Sequence, residues 1–301
     1  MTCRSKGGVA VAKGTKHTTK DHGARSYSTL LRVPSGPLRL SSIDPRSTPG
    51  FQGDKAAGRA ELTALAPAMD ELQERLFAHG RTGGERRLLL VVQGMDTSGK
   101  GGTMRHAVGL MDPQGVRIKA FKAPSAEERR RGFLWRIKQA LPEPGEVGVF
   151  DRSHYEDVLI GRVRKLATPA TIERRYDAIN AFETELVESG CPVVKVMLHI
   201  SHDEQKTRLL ERLDNPAKRW KYNPGDVAER ALWDDYQRAY EIALERCSTD
   251  AAPWFVVPAD RKWYRNLAVT QLLVEHLQAM DLRWPEADID VETERAKVEA
   301  T

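Results

Sequence analysis

The sequence predicts a three-layer α/β fold, a parallel sheet covered by helices on both faces. Three observations predict it. Apolar runs at residues 86–93, 147–150 and 192–200 lack polar alternation, as strands buried on both faces do. The segments between them carry apolar residues at helical three- and four-residue spacing. A glycine-rich turn, Gly94-Met95-Asp96-Thr97-Ser98-Gly99-Lys100, connects the first of these strands to a helix.

Each element follows in order. Residues 37–58 hold Pro37, Pro45, Pro49 and several glycines, and predict an extended arm. Leu62, Leu65, Met69, Leu72 and Leu76 predict a helix over 59–80, ended by Gly80 and Gly83-Gly84. Residues 86–93 form the strand that enters the turn, and 100–111 the helix that leaves it. A second strand is expected at 116–121. The helix expected at 126–140 has Phe133, Leu134 and Ile137 on one side. The third strand, 147–150, ends in Asp151. Thr168 caps a helix that has Pro169 at its first position and closes at Gly190. Strand 192–200 leads to Ser201 and Glu204, which read as a capping box. Residues 213–224 are polar with no core signal. Helices resume over 227–247, a last strand spans 254–257 and a last helix 263–280.

The pI of about 9.1 is unevenly distributed. Residues 1–32 hold seven Lys and Arg against one acid, a charge of +6, while the whole chain carries +5. Residues 33–301 are therefore near neutral, and nucleic acid is not an expected partner. The division that follows is a disordered basic tail at 1–36, an arm and helix at 37–85, a catalytic core at 86–285 and a tail at 286–301. No apolar run is long enough for a membrane span, and the start lacks the apolar segment of a secretory signal. Cys3, Cys191 and Cys247 are too widely spaced for a disulfide framework or a zinc site. A cytoplasmic setting is expected.

The turn carries the chemistry. Gly94, Gly99 and Lys100 fit a phosphate-binding loop between strand and helix. Thr97, Ser98, Gly101 and Gly102 complete the cradle of backbone donors. The hydroxyl that usually follows the lysine is replaced by Gly101, and a carboxylate, Asp96, lies inside the loop. An acid beside phosphate requires a cation between them. Asp151, at a strand end, is the second acid, because ligands of open α/β sheets gather at the carboxyl ends of strands. Asp96 and Asp151 with phosphate oxygens make an oxygen-only site suited to Mg²⁺ or Mn²⁺. Arg152 offers a planar donor fork for a migrating phosphoryl group. Residues 206–221 hold Lys206, Arg208, Arg212, Lys218, Arg219 and Lys221 against Glu211 and Asp214. In a P-loop kinase fold this reads as a helical lid over about 206–226, closing cations over phosphate. Six cations suit a polyanion longer than one nucleotide.

Together these segments resemble the polyphosphate kinase 2 family. The resemblance rests on residues 94–103, on Phe150-Asp151-Arg152-Ser153-His154-Tyr155, on Asn215-Pro216-Ala217-Lys218-Arg219-Trp220-Lys221, and on Trp233-Asp234-Asp235-Tyr236 and Ala252-Pro253-Trp254. It covers roughly residues 40–285. It implies reversible, Mg²⁺-dependent phosphotransfer between inorganic polyphosphate and adenine or guanine nucleotides, without a phosphoenzyme. It implies metal binding by Asp96 and Asp151 and catalytic roles for Lys100 and Arg152. It also implies phosphate contacts from Arg208, Arg212, Lys218 and Lys221, and a homo-oligomer.

The arm ending Asp44-Pro45-Arg46-Ser47-Thr48-Pro49-Gly50-Phe51, with Lys122-Ala123-Pro124-Ser125, is similar to the subgroup that phosphorylates both mono- and diphosphates. Ser153-His154-Tyr155-Glu156-Asp157 is similar to that subgroup as well, and diphosphate-preferring relatives usually carry an amide at the position of Glu156. The extra acid is expected to bind substrate, holding a second metal and drawing a shorter acceptor deeper. Two other readings remain open from the residues. One is an ATP-dependent small-molecule or deoxynucleoside kinase. The other is a non-catalytic protein that binds polyphosphate or nucleic acid.

Overall fold

The computed structural model describes residues 26–34 and 36–301. In chain order its elements are α1 (Tyr27–Leu30), α2 (Lys55–Arg81), β1 (Leu88–Gln93), α3 (Lys100–His106), β2 (Val116–Ala120), α4 (Ala126–Arg130), α5 (Trp135–Lys138) and β3 (Val147–Asp151). Then come α6 (Ile160–Val163), α7 (Pro169–Glu188), β4 (Val193–His199), α8 (His202–Asp214), α9 (Gly225–Arg230), α10 (Trp233–Cys247), β5 (Trp254–Pro258), α11 (Lys262–Ala279) and α12 (Val291–Glu299). The strands make one parallel sheet in the order β2-β3-β1-β4-β5.

Strand alternation sorts the core into two layers. Leu88, Leu90 and Val92 of β1 pack with Met69 and Leu76 of α2 and with the buried face of α11. Leu89 and Val91 pack on the other side, against Ile172, Tyr176 and Ile179 of α7 and Ala243 and Leu244 of α10. Both faces being covered is why all six residues of β1 are buried and why Leu88–Val92 reads as an unbroken apolar run. The chain leaves β1 toward β2 and β3 on one side and later fills β4 and β5 on the other. The carboxyl end of β1 is thus the point where strand order reverses and a crevice opens.

Several expectations are corrected. Residues 26–34 are not part of a tail. Val33 N–H donates to Trp254 O at 2.8 Å and Val256 N–H to Leu31 O at 2.9 Å, so this segment covers the free edge of β5. Tyr27, Leu31 and Val33 are buried there. The segment is too short for its apolar pattern to show within a basic stretch. The remainder of the expected tail, residues 1–25, lies outside the described residues. Within the expected arm the helix starts earlier, at Lys55, because Asp54 accepts from Ala56 and Ala57 N–H.

The helix expected at 126–140 is two short ones. Ser125 and Glu128 form a capping box for α4, and the chain turns extended at Arg131 before Gly132. The helix expected at 100–111 ends at His106 and continues as a 3-10 turn, Val108–Leu110, around Gly109. Ser201 does cap α8 through Glu204 N–H, but its own N–H donates to Asp260, so the box is only half made. The carboxylate of Glu204 goes to Arg208 instead. At 286–301 the chain forms α12, and every residue of that helix is exposed. No described helix is long and apolar enough to cross a membrane.

Candidate active site

The loop after β1 needs its glycines for two reasons. Gly94 and Gly99 lie at φ +151° and +113°, where L side chains are strained. A Cβ on Gly94 would also lie 2.6 Å from Ser98 Oγ. Thr97 takes φ +63° with no such freedom, a strain typical of functional turns. Lys100 Nζ folds back to donate to Gly94 O at 2.8 Å. Burial lowers its pKa, and Asp96 opposes that shift. The hydroxyls of Thr97, Ser98 and Thr103 are buried and have no partner among the described residues. Unpaired buried donors around a glycine turn are what an anionic ligand would satisfy.

The second motif arrives through sheet register. Val92 of β1 pairs with Asp151 of β3, and Arg152 N–H donates to Val92 O at 3.0 Å. Arg152 is at φ +65°, a second non-glycine residue in the left-handed region. Its side chain lies 2.9 Å from Asp96 and 3.7 Å from Glu156. Gln93, with its amide oxygen accepting from Ser153, donates to Glu156 Oε1 at 3.0 Å. Burial raises the pKa of Glu156, while Arg152 and Lys100 pull against it. Asp96, Asp151 and Glu156 all oppose the lowering of the Lys100 pKa, and Asp96 and Arg152 line one cavity.

Among the described residues, no three His, Cys, Asp or Glu side chains form a cluster able to hold a metal. A cation between Asp96 and Asp151 would therefore need phosphate oxygens to complete its shell. That fits Mg²⁺, which takes few protein ligands and shares its substrate's phosphates.

The lid residues separate into two kinds. Arg208, expected to grip phosphate, is 5% exposed. It donates to Thr97 O, Ser98 O, Ala259 O, Asp260 O and Glu204, and so braces the loop from behind. Arg212 holds Lys221 O at 3.0 Å and Asp226 at 3.3 Å, which ties the 3-10 turn Pro216–Lys221 to α9. Lys218 and Lys221 are exposed and line a cavity of about 730 Å³ together with Lys55, Arg59, Lys262 and Arg265. A second cavity, of about 240 Å³, is lined by Gly94, Asp96, Arg152, Glu156, Asp226 and Tyr240. It shares Arg152, Glu156 and Ile160 with a third, of about 490 Å³, that includes Phe121, Lys122 and Arg136.

Residues 52–285 match the polyphosphate kinase 2 family. The chain belongs to the polyphosphate kinase 2 family. It is 44% identical over 255 residues, 85% of this chain and 94% of the relative, to the AMP/ADP-polyphosphate phosphotransferase of Meiothermus ruber. It is 40% identical over 258 residues, 82% of this chain and 86% of the relative, to the ADP-polyphosphate phosphotransferase of Rhodopseudomonas palustris. The crystal structure of polyphosphate kinase 2 from Arthrobacter aurescens TC1 superposes with a TM-score of 0.90 at 57% identity, covering 92% of this chain and 98% of that one.

The structure of this polyphosphate kinase 2 member adds residues that sequence reasoning passed over. Asp226, Glu229, Tyr236 and Tyr240 line the smaller cavity. Of these, only Tyr236 belongs to a motif that carries the resemblance. Beneath the second motif, Lys195 Nζ contacts Glu183 at 2.5 Å and Tyr155 Oη at 2.9 Å, and Glu183 also meets His154 at 3.2 Å. All four side chains are fully buried or nearly so. The signal was available: a lysine in the middle of an apolar strand has to find a charge partner.

Proposed function

We propose that this protein transfers phosphoryl groups reversibly from inorganic polyphosphate to AMP and ADP. The single observation that carries the reading is the contrast between the cavity on one side of the loop and the two joined cavities on the other. One is rimmed by Lys55, Arg59, Lys218, Lys221, Lys262 and Arg265, and at about 730 Å³ it suits a long condensed phosphate. The others join acids to an aromatic ring and a few cations, Asp96, Glu156, Phe121, Lys122 and Arg136 among them, as a nucleotide with its metal requires. We assign polyphosphate to the first and the acceptor nucleotide to the second. The relatives named for AMP and ADP as acceptors support the same reading.

In this scheme an acceptor phosphate oxygen attacks the terminal polyphosphate phosphorus, and the bond to the shortened chain breaks. The oxygen is anionic at neutral pH, so no strong general base is needed. Catalysis is then positioning and charge neutralisation. Mg²⁺ at Asp96 and Asp151 supplies positive charge to the phosphates when bound. Lys100 exchanges its loop carbonyls for phosphate oxygens, and Arg152 presents donors from its place between Asp96 and Glu156. A kinase acting on a hydroxyl would require ATP as donor and would not use polyphosphate.

The test is to incubate the protein with AMP, Mg²⁺ and long-chain polyphosphate without ATP, and to separate the nucleotides by chromatography. ADP and ATP are expected together. Conversion of ADP alone would remove AMP from the acceptor range, and no product from either would overturn the reading.

A further inference from the structure

Arg265 lies in the first turn of α11 and is 3% exposed. Its guanidinium runs directly against the loop. A Cβ placed on Gly99 would overlap its Nη1, and one on Gly102 would overlap its Nη2. Nε and Nη2 donate to Asn266 Oδ1 at 3.2 and 2.7 Å. Nη1 has no acceptor, and the side chain no carboxylate partner, among the described residues. Arg208, the buried guanidinium nearby, has Glu204 at 2.8 Å as its counter-charge. Burial, with Arg208 adding to it, draws the pKa of Arg265 down to about 10.

A buried charge without a partner costs several kcal/mol, and such groups persist where something else compensates them. Arg265 lines the cationic cavity, so its free donor faces the space between the loop and Lys218 and Lys221. Any acid there would be competing: Glu204 is taken by Arg208, and Asp260 accepts from Ser201 N–H and Oγ at 2.8 Å each. No acid of that cavity among the described residues is left free to compensate Arg265, which leaves a place for a ligand anion.

We propose that Arg265 binds a phosphate oxygen of the condensed phosphate donor, directly beside Gly99 and Gly102. This rests on the assignment of that cavity to polyphosphate. It also gives Gly102 a reason: any side chain there would displace the guanidinium from the phosphate path.

The experiment compares wild type with Arg265→Met and Arg265→Lys. Thermal melts are taken with and without long-chain polyphosphate in the absence of nucleotide, and kinetics with polyphosphate and ADP varied separately. Without ligand, Arg265→Met should melt at or above the wild-type temperature, because it removes an uncompensated charge. The upward shift that polyphosphate gives wild type should fall by at least half. KM for polyphosphate should rise about tenfold or more, the loss of one charge-assisted hydrogen bond, with KM for ADP within about twofold. Arg265→Lys should recover part of the polyphosphate affinity. An Arg265→Met protein that melts lower and keeps the full polyphosphate shift would make the residue a structural prop and overturn the inference. If Arg265→Met does not fold, an unchanged polyphosphate KM in Arg265→Lys overturns it equally. Failure of wild type to use polyphosphate at all would instead sink the proposed function.

Discussion

Arg152 Nη2 donates to Asp96 Oδ1 across 2.9 Å, joining two motifs that lie 56 residues apart. Both side chains are partly open to solvent, so the pair adds little stability, at most about 1 kcal/mol. Its value is placement. It holds a donor fork and a carboxylate in one crevice, where the proposed scheme places the transferring phosphoryl group. Asp96→Asn keeps an acceptor for Arg152 but loses the charge. It should lower kcat by at least about a hundredfold, with a melting temperature close to wild type. Asp151→Ala should do the same. Unimpaired turnover in either variant would remove that residue from the metal site.

Glu156 gives a pH-dependent signature. Burial raises its folded pKa above the unfolded value, so the folded state binds its proton more tightly. Its contribution to stability is therefore fully present below the unfolded pKa and lost as pH rises through the raised folded value. Glu156→Gln should melt about 2 °C or more above wild type at pH 7, and the gain should vanish as pH approaches 4. The same variant should lose AMP as acceptor by about tenfold relative to ADP, if the extra acid draws in the shorter nucleotide. Equal melting at both pH values, or normal phosphorylation of AMP, would count against these roles.

The two kinds of lid cation should separate experimentally. Arg208→Met takes its donor from four loop carbonyls and its partner from Glu204. It should destabilise the protein by about 3 kcal/mol or more and abolish activity. Lys218→Ala with Lys221→Ala touches exposed side chains. It should leave the melting temperature unchanged, raise KM for polyphosphate and flatten the salt dependence of that KM. A clear loss of stability from the lysine pair, or none from Arg208→Met, would reverse the assignment.

Lys195 and Glu183 should behave as a unit beneath the second motif. Their contact at 2.5 Å is fully buried, so Glu183→Gln or Lys195→Met alone should cost about 3–5 kcal/mol. The double replacement Lys195→Met with Glu183→Leu should cost much less, a coupling that a double-mutant cycle in denaturant would measure. Because Tyr155 and His154 lose their partner, kcat should drop in the double variant even where stability is recovered. Additive stability changes would show that the pair is not coupled.

The sequence by itself determined what depends on neighbouring residues. Strand runs such as 192–200, the cap at Thr168, the glycine turn and the acid within it are local patterns, because backbone preference and apolar period act over a few residues. Asp96, Lys100, Asp151 and Arg152 could be singled out for the same reason: each belongs to a short motif that begins at the carboxyl end of an apolar strand. Tertiary structure decided everything that required knowing which element lies against which. Only the placement of β3 beside β1 brings Asp151 level with Val92 and Arg152 to Asp96. Arg208 reads as a lid cation along the chain and becomes a brace because α8 packs under the loop. Arg265 carries no motif at all; it reaches Gly99 and Gly102 only because α11 begins behind them. A charge takes its role from its partners and its burial, and those are set by contacts far apart in sequence.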